Sequence, residues 1–184
     1  FRAFVQCVYG DTQIRQVEDV LVPALRRSTE RPLTILTTNY DGNSPHRVHD
    51  IEFTGGRLLD VPNDSGRVCG FAENHNRLFA FMSGEAFVCI NPDCVPFPDS
   101  IDTLIERRMR YAEGDCAIIE GRQWPFEHPK EYDQLSLETP WASAAFALID
   151  SHFYRKVGGM DPTYFLYSED VDLSWRAWLT GWRL

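Results

Sequence analysis

Two acidic clusters in this chain have the residue types and the placement for chemistry. The first is Asn91-Pro92-Asp93, directly after the apolar run Phe87-Val88-Cys89-Ile90. A carboxylate at the tip of a buried strand is rigidly held. It is the hard oxygen ligand that a divalent cation on a diphosphate needs. Asn-Pro-Asp is also good turn chemistry by itself, and in isolation the turn is the commoner use. The second cluster is Ser168-Glu169-Asp170, inside the stretch from Tyr164 to Leu173. Ser168 is placed to cap a helix, and Glu169 and Asp170 fall in its first turn, where the helix dipole favours ionised carboxylates. An ionised carboxylate there suits a general base for a sugar hydroxyl. Acidic residues at helix starts also simply stabilise helices, so this reading too needs support.

A third stretch, Gly70-Phe71-Ala72-Glu73-Asn74-His75-Asn76-Arg77, lies between a loop and a helix. Its polar groups and the helix N-terminus could receive ribose or phosphate. His75 reads as a polar histidine without a metal, and His46, His49, His128 and His152 have no spacing typical of a metal site. Trp141 and Tyr164 could stack on a sugar, although aromatic side chains more often serve the core.

These residues need a frame to position them. Residues 3–9 read as a buried strand, with Asp11 or Thr12 capping a following helix that carries Ile14, Val17, Leu21 and Leu25 at helical spacing. Pro23 falls inside that helix and is expected to kink or break it. Further strands are expected over 33–38, 47–53, 58–61, 86–90 and 116–120. Residues 142–149 read as a strand or buried segment. Helices are expected over 72–82, 98–111, 151–157 and 168–179. Residues 123–140 carry Pro125, Pro129 and Pro140, many charges and no period, and read as an extended, mobile loop. Strands alternating with helices imply an α/β sandwich on a largely parallel sheet. Ligands of such sheets sit beyond the carboxyl ends of the strands. That rule singles out Asn39, Asp41, Asn91, Asp93 and Glu120.

The chain has 184 residues, enough for one domain with a sizeable core. A net charge of −9 argues against a nucleic-acid surface, which needs a basic face. It is compatible with a phosphorylated ligand bridged by a cation. No apolar run approaches the ~20 residues that span a bilayer. Five cysteines without a CxxC pair argue against a disulfide framework or a zinc site and fit a reducing cytoplasm. The chain opens without Met, inside a strand, and is expected to be part of a longer protein.

The ordered blocks Gly70-Phe71-Ala72 with Asn74-His75-Asn76, then Asn91-Pro92-Asp93, then Val157-Gly158-Gly159-Met160-Asp161-Pro162, then 165–176 from Phe165 to Arg176 resemble the family-two glycosyltransferases. The branch is that of the bacterial rhamnosyl- and galactofuranosyltransferases. The resemblance spans nearly the whole chain. It implies a GT-A fold, a Rossmann-like three-layer α/β sandwich with a mostly parallel mixed sheet, as a single catalytic core over 1–184 that is truncated on its C-terminal side. It implies inverting transfer of a hexose from a nucleoside-diphosphate sugar, UDP- or dTDP-linked, to a hydroxyl of a glycan or lipid-linked acceptor. Asp93 matches the metal ligand for Mg²⁺ or Mn²⁺, with Asn91 at the other position of that motif. Asp170 matches the catalytic base and Glu169 its partner. Asn39 and Asp41 match the nucleoside region, with Asn74, Asn76 and Arg176 completing the donor site. Work in envelope polysaccharide synthesis follows, in the cytoplasm or at the inner face of the membrane, with peripheral attachment through regions beyond this chain. Two departures stand out: Thr38 where the family often has Asp, and Ala144 where Gly is usual. Two other readings are a non-catalytic nucleotide-sugar or glycan-binding module of the same fold and a nucleotidyltransferase. Against the latter, no glycine-rich phosphate loop followed by Lys comes after the first strand.

Overall fold

The computed structural model describes residues 2–112 and 114–184. Its strands are β1 (Ala3–Tyr9), β2 (Leu33–Asn39), β3 (Ile51–Phe53), β4 (Gly56–Asp60), β5 (Ala86–Ile90), β6 (Ile118–Glu120) and β7 (Phe146–Asp150). They form one sheet in the order β3-β4-β2-β1-β5-β7-β6. β4, β2, β1 and β5 are paired in parallel, whereas β3, β7 and β6 join through antiparallel pairings. Only β3 and β7 run against the rest. The mostly parallel mixed sheet of a Rossmann-like α/β fold is therefore what the chain adopts.

Alternation along the strands explains the layers. In β5, Phe87 and Cys89 face one core while Ala86, Val88 and Ile90 face the other, and all five are buried. A strand covered on both faces needs no polar side, hence the continuous apolar run. The Phe87 face is covered by α3 (Phe71–Phe79), α5 (Ser151–Lys156) and α6 (Glu169–Leu179) through Ala72, Leu78, Phe153, Tyr154, Leu173 and Ala177. The Val88 face is covered by a helical stretch over 11–27 and by α4 (Ser100–Met109), through Val17, Leu21, Leu25, Ile101 and Ile105.

The stretch over 11–27 departs from expectation at both Asp11 and Pro23. Gly10, not Asp11 or Thr12, is the N-cap, and Asp11 opens a 3-10 turn, Asp11–Gln13. The chain continues as α1 (Ile14–Gln16), a π-turn Val17–Leu21 and α2 (Val22–Arg27), so Pro23 does not break it. Proline has no N–H for the carbonyl four residues back and its ring crowds that carbonyl. The π-turn before it, in which the Val22 N–H reaches the Val17 carbonyl, widens the helix ahead of that position.

Three expected strands are shorter. β3 begins at Ile51 rather than at residue 47, because Arg47 and Val48 are used elsewhere, by Asp60 and Tyr9. β6 begins at Ile118 rather than at residue 116. β7 begins at Phe146, so 142–145 lie outside it as connecting chain. Residues 123–140 form no helix or strand, as their prolines and charges imply.

The reversed direction of β7 matters most for function. Its first residue, Phe146, sits opposite Ile90 at the end of β5, and Ala147 sits opposite Glu120 at the end of β6. The 142–145 connection is thereby delivered to the carboxyl edge of the parallel strands. At the other end of β7, Asp150 is 2% exposed on its side chain, accepts the Phe153 N–H as N-cap of α5, and pairs with Arg108 at 2.5 Å. Removing one partner of a buried pair leaves the other charge uncompensated. Asp150→Ala is expected to destabilise the fold by about 3–5 kcal/mol, read as a lower urea midpoint with an unchanged slope. A loss below about 1 kcal/mol would mean that the pair and cap do not hold β7 to α5.

Candidate functional site

The loops beyond the carboxyl ends of the strands are tied into a chain of hydrogen bonds. After β2, the Asn39 amide donates to Asp11 Oδ1 (2.7 Å) and to the His46 carbonyl (3.0 Å), joining the ends of β1 and β2. Asp11 also accepts the Ser44 hydroxyl at 2.7 Å, and these two bonds hold its carboxyl below the usual carboxylate range. Asp41 is half-buried and accepts the Asn43 N–H at 2.9 Å, an Asx turn that shapes the loop. The Tyr40 carbonyl then receives the Cys69 N–H (2.8 Å) and the Asn63 amide (3.0 Å), joining that loop to 63–69. The Phe71 N–H donates to the Phe165 carbonyl at 2.9 Å, carrying the connection to the segment before α6. A Cβ on Gly70 would collide with the backbone of Phe165, so only glycine permits this approach.

α6 brings the second acidic cluster to the same edge. Tyr167 and Ser168 both have left-handed backbones, φ 69 and 72. Side-chain-bearing residues seldom adopt that region, and such outliers cluster at functional sites. Ser168 is the N-cap but makes no side-chain cap bond, contrary to the expected hydroxyl cap. Glu169 is buried, and its Oε2 has no hydrogen-bond partner among the described residues. Burial raises its pKa, and the neighbouring Asp170 charge adds to the effect. Asp170 is half-buried. Its Oδ1 accepts the N–H of Val171 (2.8 Å) and its Oδ2 that of Ala144 (3.2 Å). The adjacent Ala145 carbonyl accepts the Asn91 N–H at 2.9 Å. Asp170 and the tip of β5 are therefore joined across two residues, Ala144 and Ala145.

At that tip Asp93 is exposed, and its carboxylate makes no hydrogen bond or ion pair among the described residues. Asn91 is half-buried beside it. No three His, Cys, Asp or Glu side chains gather into a complete metal cage among the described residues. One unpaired carboxylate with a neighbouring amide oxygen still fits Mg²⁺ or Mn²⁺ on a diphosphate. Such ions take one or two protein oxygens and fill their shell from phosphate and water.

Several residues read as donor ligands have their polar atoms committed inside the protein. Asn74 is fully buried, donates to the Cys69 and Gly70 carbonyls at 3.0 and 2.8 Å, and accepts from Arg77 at 2.6 Å. Asn76 donates to the Met160 carbonyl (2.7 Å) and accepts from the Met160 N–H (3.0 Å) and the Tyr154 hydroxyl (2.6 Å). Arg176 pairs with Asp172 at 2.7 Å and donates to the Val157 and Gly159 carbonyls at 3.0 and 2.7 Å. Asn76 and Arg176 thus grip the Gly158-Gly159 turn from two sides. Thr38, at the position where the family often has Asp, is buried, and its hydroxyl has no partner among the described residues.

Asp11, Asn63, Ser174 and Lys130 are at this edge without having been singled out as site residues. Asp11 reads as a cap in the sequence. Ser174 lies inside the last resembling block without a role of its own there, and Asn63 and Lys130 are single polar residues with no motif around them. Two grooves of about 830 and 640 Å³ lie at the opposite, amino edge of the sheet. They are lined by Arg2, Thr34 and Arg57 in one and by Arg26, Arg27 and Arg31 in the other. Neither touches the acidic clusters.

Comparison with known proteins agrees with this architecture. No family model matches the chain. An N-acetylglucosaminyl-diphospho-decaprenol L-rhamnosyltransferase of Mycobacterium tuberculosis is 27% identical over 207 residues, covering 86% of this chain and 65% of the relative. Rhamnosyltransferase WbbL of Escherichia coli K12 is 26% identical over 154 residues, covering 65% of this chain and 58% of the relative. The chain thus spans somewhat under two thirds of these relatives' length. Among solved structures, the mannosyltransferase PcManGT of Pyrobaculum calidifontis, in complex with GDP-Man and Mn²⁺, superposes with a TM-score of 0.69. It is 13% identical, with 99% of this chain and 53% of that one covered. GlyE, a glycosyltransferase of Streptococcus pneumoniae, gives 0.52 at 16% identity, covering 86% and 36%. The fold is that of the GT-A glycosyltransferases. Fold and sequence together support the motif-based recognition of a family-two glycosyltransferase of the rhamnosyltransferase branch.

His75 settles one local question. It is fully buried between Gln6 (Nδ1 to Oε1, 3.0 Å) and Cys89 (Nε2 to Sγ, 3.2 Å), and burial lowers its pKa to about 3. It is a neutral core histidine. A histidine whose folded pKa lies below its unfolded value of 6.5 stabilises the fold above 6.5, and that contribution is lost as pH falls towards 3. Between pH 6.5 and 5 this amounts to about 2 kcal/mol. Urea midpoints should fall over that window in the wild-type protein and fall less in His75→Gln. Parallel profiles would remove His75 as the cause.

Proposed function

We propose that this chain is the donor-binding catalytic core of an inverting glycosyltransferase that moves a hexose from a nucleoside-diphosphate sugar to a hydroxyl. The observation that carries the reading is the Asp170 carboxylate. It is fixed through both oxygens by backbone N–H groups at the ligand edge of the sheet, two residues' breadth from the strand tip that presents Asp93. Two N–H bonds fix its direction, while each oxygen keeps a free lone pair for an acceptor hydroxyl.

In this reading the acceptor oxygen attacks the anomeric carbon and its proton passes to Asp170. The bond from that carbon to the diphosphate oxygen breaks, the diphosphate leaves with the electron pair, and attack from the opposite face inverts the carbon. Asp93, with the Asn91 amide oxygen, would hold Mg²⁺ or Mn²⁺, which supplies positive charge beside the departing diphosphate. Asn39 and Asp41 shape the nucleoside end. Asn74, Asn76 and Arg176 act on the donor indirectly, by fixing the loops around it. The nucleotide is UDP or dTDP. A glycan or lipid-linked acceptor fits the name of the mycobacterial relative, which describes a diphospho-decaprenol acceptor. No helix among the described residues is long and apolar enough to cross a membrane. A lipid-linked acceptor would bring the enzyme to the inner membrane face.

Metal dependence is testable on binding alone. Carboxylates at the site would repel a diphosphate without a cation between them. Nucleoside diphosphate should bind at least about tenfold more weakly in EDTA, which is ~1.4 kcal/mol, and Asp93→Ala should abolish most of the difference. Equal affinity with and without EDTA in the wild type would rule out the metal site. The base is tested by turnover. Asp170→Asn should keep donor affinity and lose transfer by about 100-fold or more, the scale of a general-base contribution. Near-normal turnover in that variant would remove Asp170 as the base, and donor binding without any transfer in the wild type would favour a non-catalytic module.

A further inference from the structure

Residues 121–145 carry no helix or strand, and most of the side chains between Arg122 and Pro140 are exposed or half-buried. Lys130 is the exception among the charged ones, with a side chain 1% exposed. Its ammonium pairs with Glu120, the last residue of β6, itself 8% exposed on its side chain. The same ammonium donates to the Trp141 carbonyl at 3.2 Å and lies 4.0 Å from the centre of the Trp141 ring. All three contacts converge on the two ends of the loop, Glu120 and Trp141. Lys130, near the loop's midpoint, ties it shut at the sheet edge.

The chain that follows Trp141 has no sheet partner, yet Ala142, Ser143 and Ala144 are buried. Buried N–H groups require acceptors. The Ala142 N–H donates to Ser174 Oγ at 3.0 Å, and that hydroxyl donates to the Asp170 carbonyl at 2.7 Å. The Ala144 N–H donates to Asp170 Oδ2 at 3.2 Å. Ser174 and Asp170 therefore hold two N–H groups of one short segment, and Lys130 joins Glu120 to the segment's first carbonyl. A buried ion pair contributes little net stability over an apolar pair of the same shape, so stability alone does not account for it.

We propose that Lys130 is a positioning residue for the transfer reaction. Together with Glu120 it fixes the backbone of 141–144, and that backbone orients the Asp170 carboxylate. The inference rests on the reading of Asp170 given above, and two readouts separate the two. In Lys130→Met, amide exchange at Ala142 and Ala144 should speed up by about tenfold or more, while Lys130→Arg should stay near the wild type. Unchanged exchange in Lys130→Met overturns the proposal whatever the activity. In the same variant kcat should fall about tenfold with donor affinity kept within about twofold, and Lys130→Arg should recover most of it. Donor affinity falling in step with kcat, or no recovery in Lys130→Arg, also overturns it. If Lys130→Met fails to fold, the double variant Glu120→Gln with Lys130→Met buries no charge and takes the same two measurements. A wild-type protein without transfer defeats the reading of Asp170, and with it a positioning role in transfer, while the exchange data still decide whether Lys130 fixes the loop.

Discussion

Buried backbone in the loops at the carboxyl edge must find hydrogen-bond partners that no strand or helix supplies, and side chains provide them. That constraint organises this molecule. Asn39, Asn63, Asn74, Asn76 and Arg176 each bond carbonyl groups in loops, and Ser174 and Asp170 accept loop N–H groups. The rim from Asp11 through Tyr40, Cys69, Phe71 and Phe165 to Asp170, Ala144 and Asn91 is linked by such bonds. Each link fixes one strand tip relative to the next. The result is a shaped edge, in which loops without regular structure hold definite positions over a rigid sheet.

The same constraint explains what could and could not be read from the sequence. β1 and β5 were legible to the residue, because a continuous apolar run bounded by breakers has one sensible interpretation. The placement of the two acidic clusters at one edge was legible because they follow a strand and open a helix at the edge where α/β sheets bind ligands. The roles of Asn74, Asn76 and Arg176 were not. An asparagine that grips a turn and one that grips a ribose have the same letter and the same neighbours. Only the positions of Met160 and Gly159, more than 80 residues beyond Asn76, distinguish them. Lys130 was invisible for the same reason. In a stretch rich in prolines and charges, nothing marks the one cation that turns inward, since its partners at 120 and 141 are set by the direction of β7.

Pro23 shows the converse case, a local rule overridden by packing. Proline inside a helix usually ends it. Here Val17, Leu21, Val22 and Leu25 are all buried against the sheet, so breaking the helix would expose a whole apolar face. Inserting a π-turn removes the clash at the cost of slightly poorer geometry. Burial of several aliphatic side chains, each contributing about 1.5–3 kcal/mol, outweighs that distortion. Register along the sheet is preserved, and with it the placement of Gly10 and Asp11 beside Asn39.

Strain at the start of α6 has a corresponding physical sense. Left-handed backbones at Tyr167 and Ser168 each cost about 1–3 kcal/mol and persist only where the surroundings impose them. The Phe165 carbonyl is held by the Phe71 N–H on one side, and the Asp170 carboxylate by the Ala144 N–H on the other. Between those fixed points the chain must turn sharply enough to start a helix. That turn buries Glu169 with an oxygen left unpartnered and directs Asp170 to the edge. Adjacent helical residues point about 100° apart, so one of the two carboxylates is forced inward when the other faces the mouth. Further along α6 the polar residues have structural tasks: Ser174 supports the 142–145 connection, and Arg176 with Asp172 clamps the glycine turn. One helix therefore divides its polar residues by position. Its first turn carries the carboxylate proposed as the base, and the residues from Asp172 onward hold the loops that keep that turn in place.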